Sequence, residues 1–161
     1  MTASNHGLQL GDALPHVQLP MTGDINFDSQ DYRGQNMVIY FYPKDSTPGC
    51  TTEGNEFSAN IEAFKAANCQ VFGVSRDSMR RHDNFKAKQD FKIELISDED
   101  EHLCGIFDVI KLKKLYGKEY LGIDRSTFVI NGQGELVKMW RKVKVKGHVD
   151  EVLAFVQRME E

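Results

Sequence analysis

Cysteine is scarce in this chain: Cys50, Cys69 and Cys104 are the only three in 161 residues. An odd, scattered set excludes a disulfide framework and a self-contained four-cysteine zinc site. Long apolar runs are absent too. The longest, Met37 to Tyr42, has six residues and cannot form a transmembrane helix, so no membrane partner is expected. Met1 to Leu10 has neither a basic nor an apolar stretch. No secretory signal is therefore expected, and the expected compartment is cytoplasmic. The four prolines, at 15, 20, 43 and 48, all lie in the first third, and no repeat or Pro/Gly-rich linker appears. Residues 1–161 are accordingly read as one domain. Positive charge is not in excess either: the net charge of -4 gives no general attraction to nucleic acid.

What is present fits a soluble globular chain, with 40% hydrophobic and 27% charged residues. A chain of this size buries roughly 68–70% of its unfolded surface without staples. The charge is segregated. Residues 1–110 hold 9 Lys/Arg against 17 Asp/Glu, residues 111–146 hold 10 against 3, and residues 147–161 hold 1 against 4.

Strands and helices are predicted in alternation. Pro15 to Pro20 reads as at most a short edge strand, and Ile25 to Phe27 as a brief one after the Gly23-Asp24 turn. Met37 to Tyr42 suits a strand buried on both faces. Cys50 to Ala67 reads as one helix with Phe57, Ile61 and Phe64 on a single stripe. Val71 to Val74 is a strand, Ser78 to Gln89 a helix and Ile93 to Ile96 a strand. Ser97 reads as the N-cap of a helix reaching Phe107. Thr127 to Ile130 and Leu136 to Trp140 flank a turn at Asn131-Gly132, and Val149 to Met159 is a closing helix. This order predicts a mixed α/β sandwich.

The chemistry concentrates in Phe41-Tyr42-Pro43-Lys44-Asp45-Ser46-Thr47-Pro48-Gly49-Cys50-Thr51-Thr52-Glu53. A buried strand ends, a proline-punctuated loop follows, and a cysteine stands where a helix begins. Unpaired N–H groups and the dipole at a helix N-terminus favour thiolate over thiol. Cysteines in such settings have pKa values well below the usual ~8.5 and react near neutral pH. Pro48 and Gly49 shape the backbone so that its N–H groups can face a ligand. The Thr47 hydroxyl, three residues before the thiol, is in reach of the same pocket. The alternative is that Cys50 is only a small apolar residue at a helix start.

The string TPGCTTE after FYPKDS resembles the peroxiredoxin motif Pro-x-x-x-Thr/Ser-x-x-Cys. The longer string resembles the PrxQ class, also called bacterioferritin comigratory protein. Gly73 to Ser78, His82 to Phe85, Ser97-Asp98, Tyr116 to Lys118 and Arg125 to Phe128 resemble the same class in order, so the likeness runs from about Leu10 to Val156. It implies a thioredoxin-like fold of peroxiredoxin type, with a central mixed sheet flanked by helices. It implies that Cys50 is the peroxidatic cysteine and that the Thr47 hydroxyl bonds thiolate and peroxide. Pro43 shields the thiolate, and Arg125 arrives from a distant strand start. A guanidinium stays charged and offers several donors, which suits charge developing on a leaving oxygen. Glu53, one turn after Cys50, orients an arginine by the same resemblance; alternatively it is a first-turn acid favoured by the helix dipole. The substrate would be a hydroperoxide, with no metal or organic cofactor. The class is often monomeric, so a monomer is expected.

Many members carry a second thiol five residues after the first, or in the helix after the Ser-Arg-Asp segment. Those positions are Asn55 and Lys86 here. Cys69 lies nineteen residues on, roughly 28 Å along a continuous helix, against the ~7 Å that a disulfide tolerates. Cys104 sits on an amphipathic helix, where core filling is the plainer role and resolving Cys50 the other. His102 beside it would be half of a metal pair with no second half in view. The sequence thus points to a sulfenic acid at Cys50 resolved by an external thiol such as thioredoxin, glutaredoxin or glutathione. Two other functions compete: a thioredoxin-fold binding module without catalysis, and a thiol–disulfide oxidoreductase, which usually needs Cys-x-x-Cys. The basic run Lys138 to Lys146 with Trp140 admits a nucleic-acid patch, but its alternation reads better as a half-buried strand, so no nucleic-acid partner is expected.

Overall fold

The computed structural model describes residues 7–159. In chain order its elements are β1 (Gln18–Leu19), β2 (Phe27–Asp28), β3 (Asn36–Phe41), α1 (Pro48–Ala59), α2 (Ile61–Ala66), β4 (Cys69–Ser75) and α3 (Met79–Gln89). Then follow β5 (Glu94–Ser97), α4 (His102–Phe107), β6 (Ile110–Leu115), β7 (Lys118–Ile123), β8 (Ser126–Ile130), β9 (Leu136–Trp140) and α5 (His148–Met159).

The central sheet has the order β5-β4-β3-β8-β9. Strands β3, β4 and β5 are parallel, β8 runs antiparallel to β3, and β9 antiparallel to β8. All six residues of β3 are buried, as a central strand covered on both faces must be. Its alternate side chains feed two cores. Met37, Ile39 and Phe41 join Leu103, Cys104 and Phe107 of α4, together with Leu14 and Val17 of the N-terminal segment. Val38 and Tyr40, with Tyr42 just beyond the strand, join Phe57, Phe64 and Phe85 of α1, α2 and α3, with Val152 and Val156 of α5. Each such side chain contributes about 1.5–3 kcal/mol on burial.

Three predicted boundaries need correction. The helix expected over Cys50 to Ala67 breaks at Asn60 (φ -103°, ψ 11°), yet Phe57, Ile61 and Phe64 still reach one core. Helix α4 starts at His102, not after Ser97, and Asp98 does the capping: its carboxylate accepts the N–H groups of Leu103 and Cys104 at 3.1 and 2.7 Å. The strand read into Lys138 to Lys146 stops at Trp140; beyond it Arg141, Val143 and Val145 are half-buried and Lys142, Lys144 and Lys146 exposed, an alternation without strand pairing. Hairpin β6–β7 was not foreseen.

Helix α1 docks through a glycine. A Cβ on buried Gly54 would run into the Phe91 ring. Gly54→Ala is therefore expected to lower stability by roughly 1–3 kcal/mol by overpacking, despite alanine's better helix propensity. Urea unfolding checks this; a gain in stability would mean that the Phe91 ring moves aside freely.

Candidate active site

The site lies past the carboxyl end of β3. Thr47 is the N-cap of α1 and Pro48 its first residue, where the missing N–H costs nothing. Cys50 is the third residue of the helix and only 2% exposed. Arg125 sits in the two-residue link between β7 and β8. The pairing of Phe41 with Ser126 puts that link beside the point where the loop leaves β3. Arg125 Nη2 donates to Cys50 Sγ at 3.3 Å, and Nη1 donates to Glu53 Oε1 at 2.6 Å. One guanidinium thus spans the thiol and a carboxylate one helical turn apart. Gly49 makes room for it: a Cβ there would stand 3.2 Å from Nη2.

Glu53 is fully buried, so it is no first-turn surface acid. Burial pushes its carboxyl up to about 7, with the Arg125 charge pulling it back. Its second oxygen, Oε2, has no hydrogen-bond partner among the described residues. At Arg125 burial opposes the charge, but Glu53 and Cys50 outweigh it, and the guanidinium is held above its ordinary value.

Residues Pro43, Thr47, Pro48 and Gly49 all fall in the loop and helix start around Cys50. The Thr47 hydroxyl donates to the Lys44 carbonyl at 2.8 Å rather than to sulfur. The other thiols lie elsewhere. Cys69 opens β4 opposite Asn36, at the far end of β3 from the loop. Cys104 is packed in the core on the opposite face of the sheet from Cys50. Burial and the nearby Asp98 raise its thiol pKa strongly. Asn55 is exposed, and Lys86 pairs with Glu94 at 2.5 Å.

Beneath the loop runs a buried polar network that reading the motif alone missed. Asp45 accepts the Tyr42 hydroxyl at 2.7 Å, and its N–H donates to Asp77 at 2.8 Å. His82 Nδ1 meets the second Asp45 oxygen at 2.7 Å, and Nε2 meets the Ile96 carbonyl at 2.8 Å. A carbonyl only accepts, so Nε2 carries a proton, and one more proton lies between Nδ1 and Asp45. Ser75 donates to Asp77 at 2.6 Å. The network spans the loop, β4, α3 and β5, and fixes a loop whose Ser46 has a φ of 65°. The signal was available: Asp45, Ser75, Asp77 and His82 all stand in the strings that carried the resemblance.

A model of the AhpC/TSA family matches residues 10–139. The chain belongs to the AhpC/TSA family. Within it, the chain is 53% identical over 147 residues to a Xanthomonas campestris protein named Peroxiredoxin Bcp, covering 91% of this chain and 92% of that one. It is 45% identical over 154 residues to the Bacillus subtilis protein of the same name, covering 96% and 98%. A solved Xanthomonas campestris bacterioferritin comigratory protein, described for its alkyl peroxide reduction activity, superposes with a TM-score of 0.86 at 49% identity, covering 93% of this chain and 100% of that one. This member of the family is therefore a peroxiredoxin enzyme, and the thioredoxin-like mixed α/β fold implied by the resemblance is borne out.

His82→Leu strands the buried Asp45 carboxyl and is expected to cost roughly 3–5 kcal/mol in urea unfolding. Adding Asp45→Asn should restore part of that loss, and full additivity would contradict the coupling. For Glu53, the folded-state value of about 7 lies above the ordinary 4.5, so the folded protein binds more protons between those values. Its contribution to stability is complete below pH 4.5 and is lost as pH rises through 7. Unfolding at a series of pH values should show this decline in the wild type and not in Glu53→Gln. A wild-type stability rising across that window relative to the variant would mean that Glu53 is ionised throughout.

Proposed function

We propose that this peroxiredoxin reduces hydrogen peroxide and organic hydroperoxides at Cys50 by a one-cysteine mechanism, with an external thiol as resolving partner. The observation that carries the reading is the Arg125 fork, donating to Cys50 Sγ at 3.3 Å while anchored on buried Glu53 at 2.6 Å. The Cys50 thiolate attacks the terminal peroxide oxygen, the O–O bond breaks, and water or an alcohol leaves with a proton. Cys50 becomes a sulfenic acid. Arg125 faces the oxygen on which charge develops, and preorganised donors act most strongly on such charge. The alkyl peroxide reduction activity described for the Xanthomonas relative supports this substrate class.

An external second thiol is supported by the placement of the alternatives. Asn55 and Lys86 occupy the expected positions, Cys69 lies at the far end of the sheet, and Cys104 lies behind it. A disulfide requires Cα atoms within about 7 Å, so Cys104 would have to cross the sheet. The proposal includes a monomer, as the class resemblance implies, acting in the cytoplasm, where thiol reductants are available.

Hydrogen peroxide consumption with dithiothreitol, glutathione or thioredoxin as separate reductants tests the proposal. Cys50→Ser should be inactive with all three, and full activity in it would end the mechanism. Arg125→Ala should slow peroxide attack by roughly 10²–10³, the scale for losing one transition-state donor. Intact mass after peroxide treatment should lack a Cys50–Cys104 disulfide; its stoichiometric appearance would replace the external thiol with an internal one.

A further inference from the structure

The basic stretch 111–146, with 10 Lys/Arg against 3 Asp/Glu, is not explained by the peroxide step. Hydroperoxides are neutral at physiological pH and gain nothing from net positive charge around the pocket. The fold nevertheless brings much of this stretch to the edge of the Cys50 site. Val143 N–H donates to the Arg125 carbonyl at 2.9 Å. A Val145 methyl lies 4.0 Å from the place where a Cβ on Gly49 would be. The segment 142–146 therefore runs along the two residues that frame the thiol.

Lys142, Lys144 and Lys146 alternate with those valines and are exposed. Lys113 of β6 is half-buried and its ammonium donates to the Ile123 carbonyl. Lys44, in the loop itself, is exposed as well. Other cations of the region are already engaged. Arg141 donates to the carbonyls of Asp108 and Phe107 at 3.0 and 2.8 Å, and Lys111 pairs with Asp108 at 3.0 Å. Lys44, Lys142, Lys144 and Lys146 form no ion pair among the described residues. Of the acids around the site, Glu53 is bound to Arg125, Asp45 is buried and bonded to Tyr42 and His82, and Glu56 acts on Glu53 from the same helix.

We propose that Lys44, Lys142, Lys144 and Lys146 form a cationic rim that selects a negatively charged thiol as the reductant of the Cys50 sulfenic acid. The inference rests on the one-cysteine reading above. The chain as a whole carries -4, so away from this rim it repels such a donor. A local field of opposite sign raises association rates by 10- to 10³-fold and weakens with salt. The donor's thiolate attacks the sulfenic sulfur; an S–S bond forms, the S–O bond breaks, and hydroxide leaves and takes a proton as water. A second donor thiolate then attacks the donor sulfur of the mixed disulfide. Cys50 thiolate is released, and the donor pair, oxidised by two electrons, leaves as its own disulfide.

Three small thiols of similar size and different charge test the rim: mercaptoacetate, mercaptoethanol and cysteamine. The readout is the rate of mixed-disulfide formation on pre-formed sulfenic acid, by quenched intact mass, corrected for each thiol's thiolate fraction. Mercaptoacetate should exceed cysteamine by about tenfold or more at low salt, and the ratio should collapse toward one in 0.5 M salt. The charge-reversed variant Lys142→Glu/Lys144→Glu/Lys146→Glu should invert the ratio, with Lys144→Glu alone as a milder version. Because each ratio is taken within one protein, a general loss of activity cancels. Glutathione and an acidic protein dithiol, thioredoxin, form two further arms. A rate lost on charge reversal in either arm supports the rim and identifies the source of the thiol, and no loss in both overturns it. Equal rates for the three small thiols, with mixed disulfides still forming, overturn the rim alone. An intramolecular disulfide forming instead overturns the one-cysteine reading and the rim with it.

Discussion

The site depends on one side chain reaching two partners. The Arg125 guanidinium holds Cys50 with one nitrogen and Glu53 with the other. Glu53 is buried, so the carboxylate that fixes the fork is itself fixed by the packing of α1. Arg125 arrives on a separate part of the chain, and strand pairing sets its position. With Phe41 opposite Ser126, the residue before Ser126 lies beside the loop that follows Phe41. A slip of one residue between β3 and β8 would flip Arg125 to the other face and leave the thiol without its donor. Lysine could not substitute, because it lacks the planar fork that spans both groups.

A second constraint lies below the first. The loop that carries Thr47 and Pro48 has a left-handed Ser46 and little backbone pairing of its own. Asp45 anchors it through Tyr42 just past β3, Asp77 just past β4 and His82 of α3. Both oxygens of the buried Asp45 carboxyl have partners, which offsets the cost of taking it out of water. The polar core beneath the loop and the fork above it hold the same short segment from opposite sides.

Much of this was legible in the sequence because the physics is local. A six-residue apolar run bounded by proline can hardly be anything but a buried strand, and a cysteine after Pro48-Gly49 marks a helix start. The rest depended on tertiary context. The break at Asn60 leaves the apolar stripe of Phe57, Ile61 and Phe64 intact, so periodicity could not reveal it. Helix α4 starts late because Asp98 caps it from a distance of five and six residues, beyond the usual capping pattern. Hairpin β6–β7 exposes most of both faces, which removes the alternation that marks a half-buried strand. Its turn uses Tyr116 and Gly117, both at positive φ, where Asn-Gly is the usual sign. The fork itself joins residues 72 and 75 positions apart, a pairing that spacing cannot supply and that the family resemblance did.

The three thiols now separate by place. Cys50 stands at a helix start against a cation, Cys69 at the far end of the sheet, and Cys104 in the opposite core beside the Asp98 carboxylate. The central claim is that only the first is reactive. The most direct measurement is dimedone labelling of sulfenic acid after one equivalent of hydrogen peroxide, with peptide mapping of all three cysteines. Label is expected on the Cys50 peptide alone, strongly reduced in Arg125→Ala. Label on Cys69 or Cys104, or full labelling of Cys50 without Arg125, would contradict it.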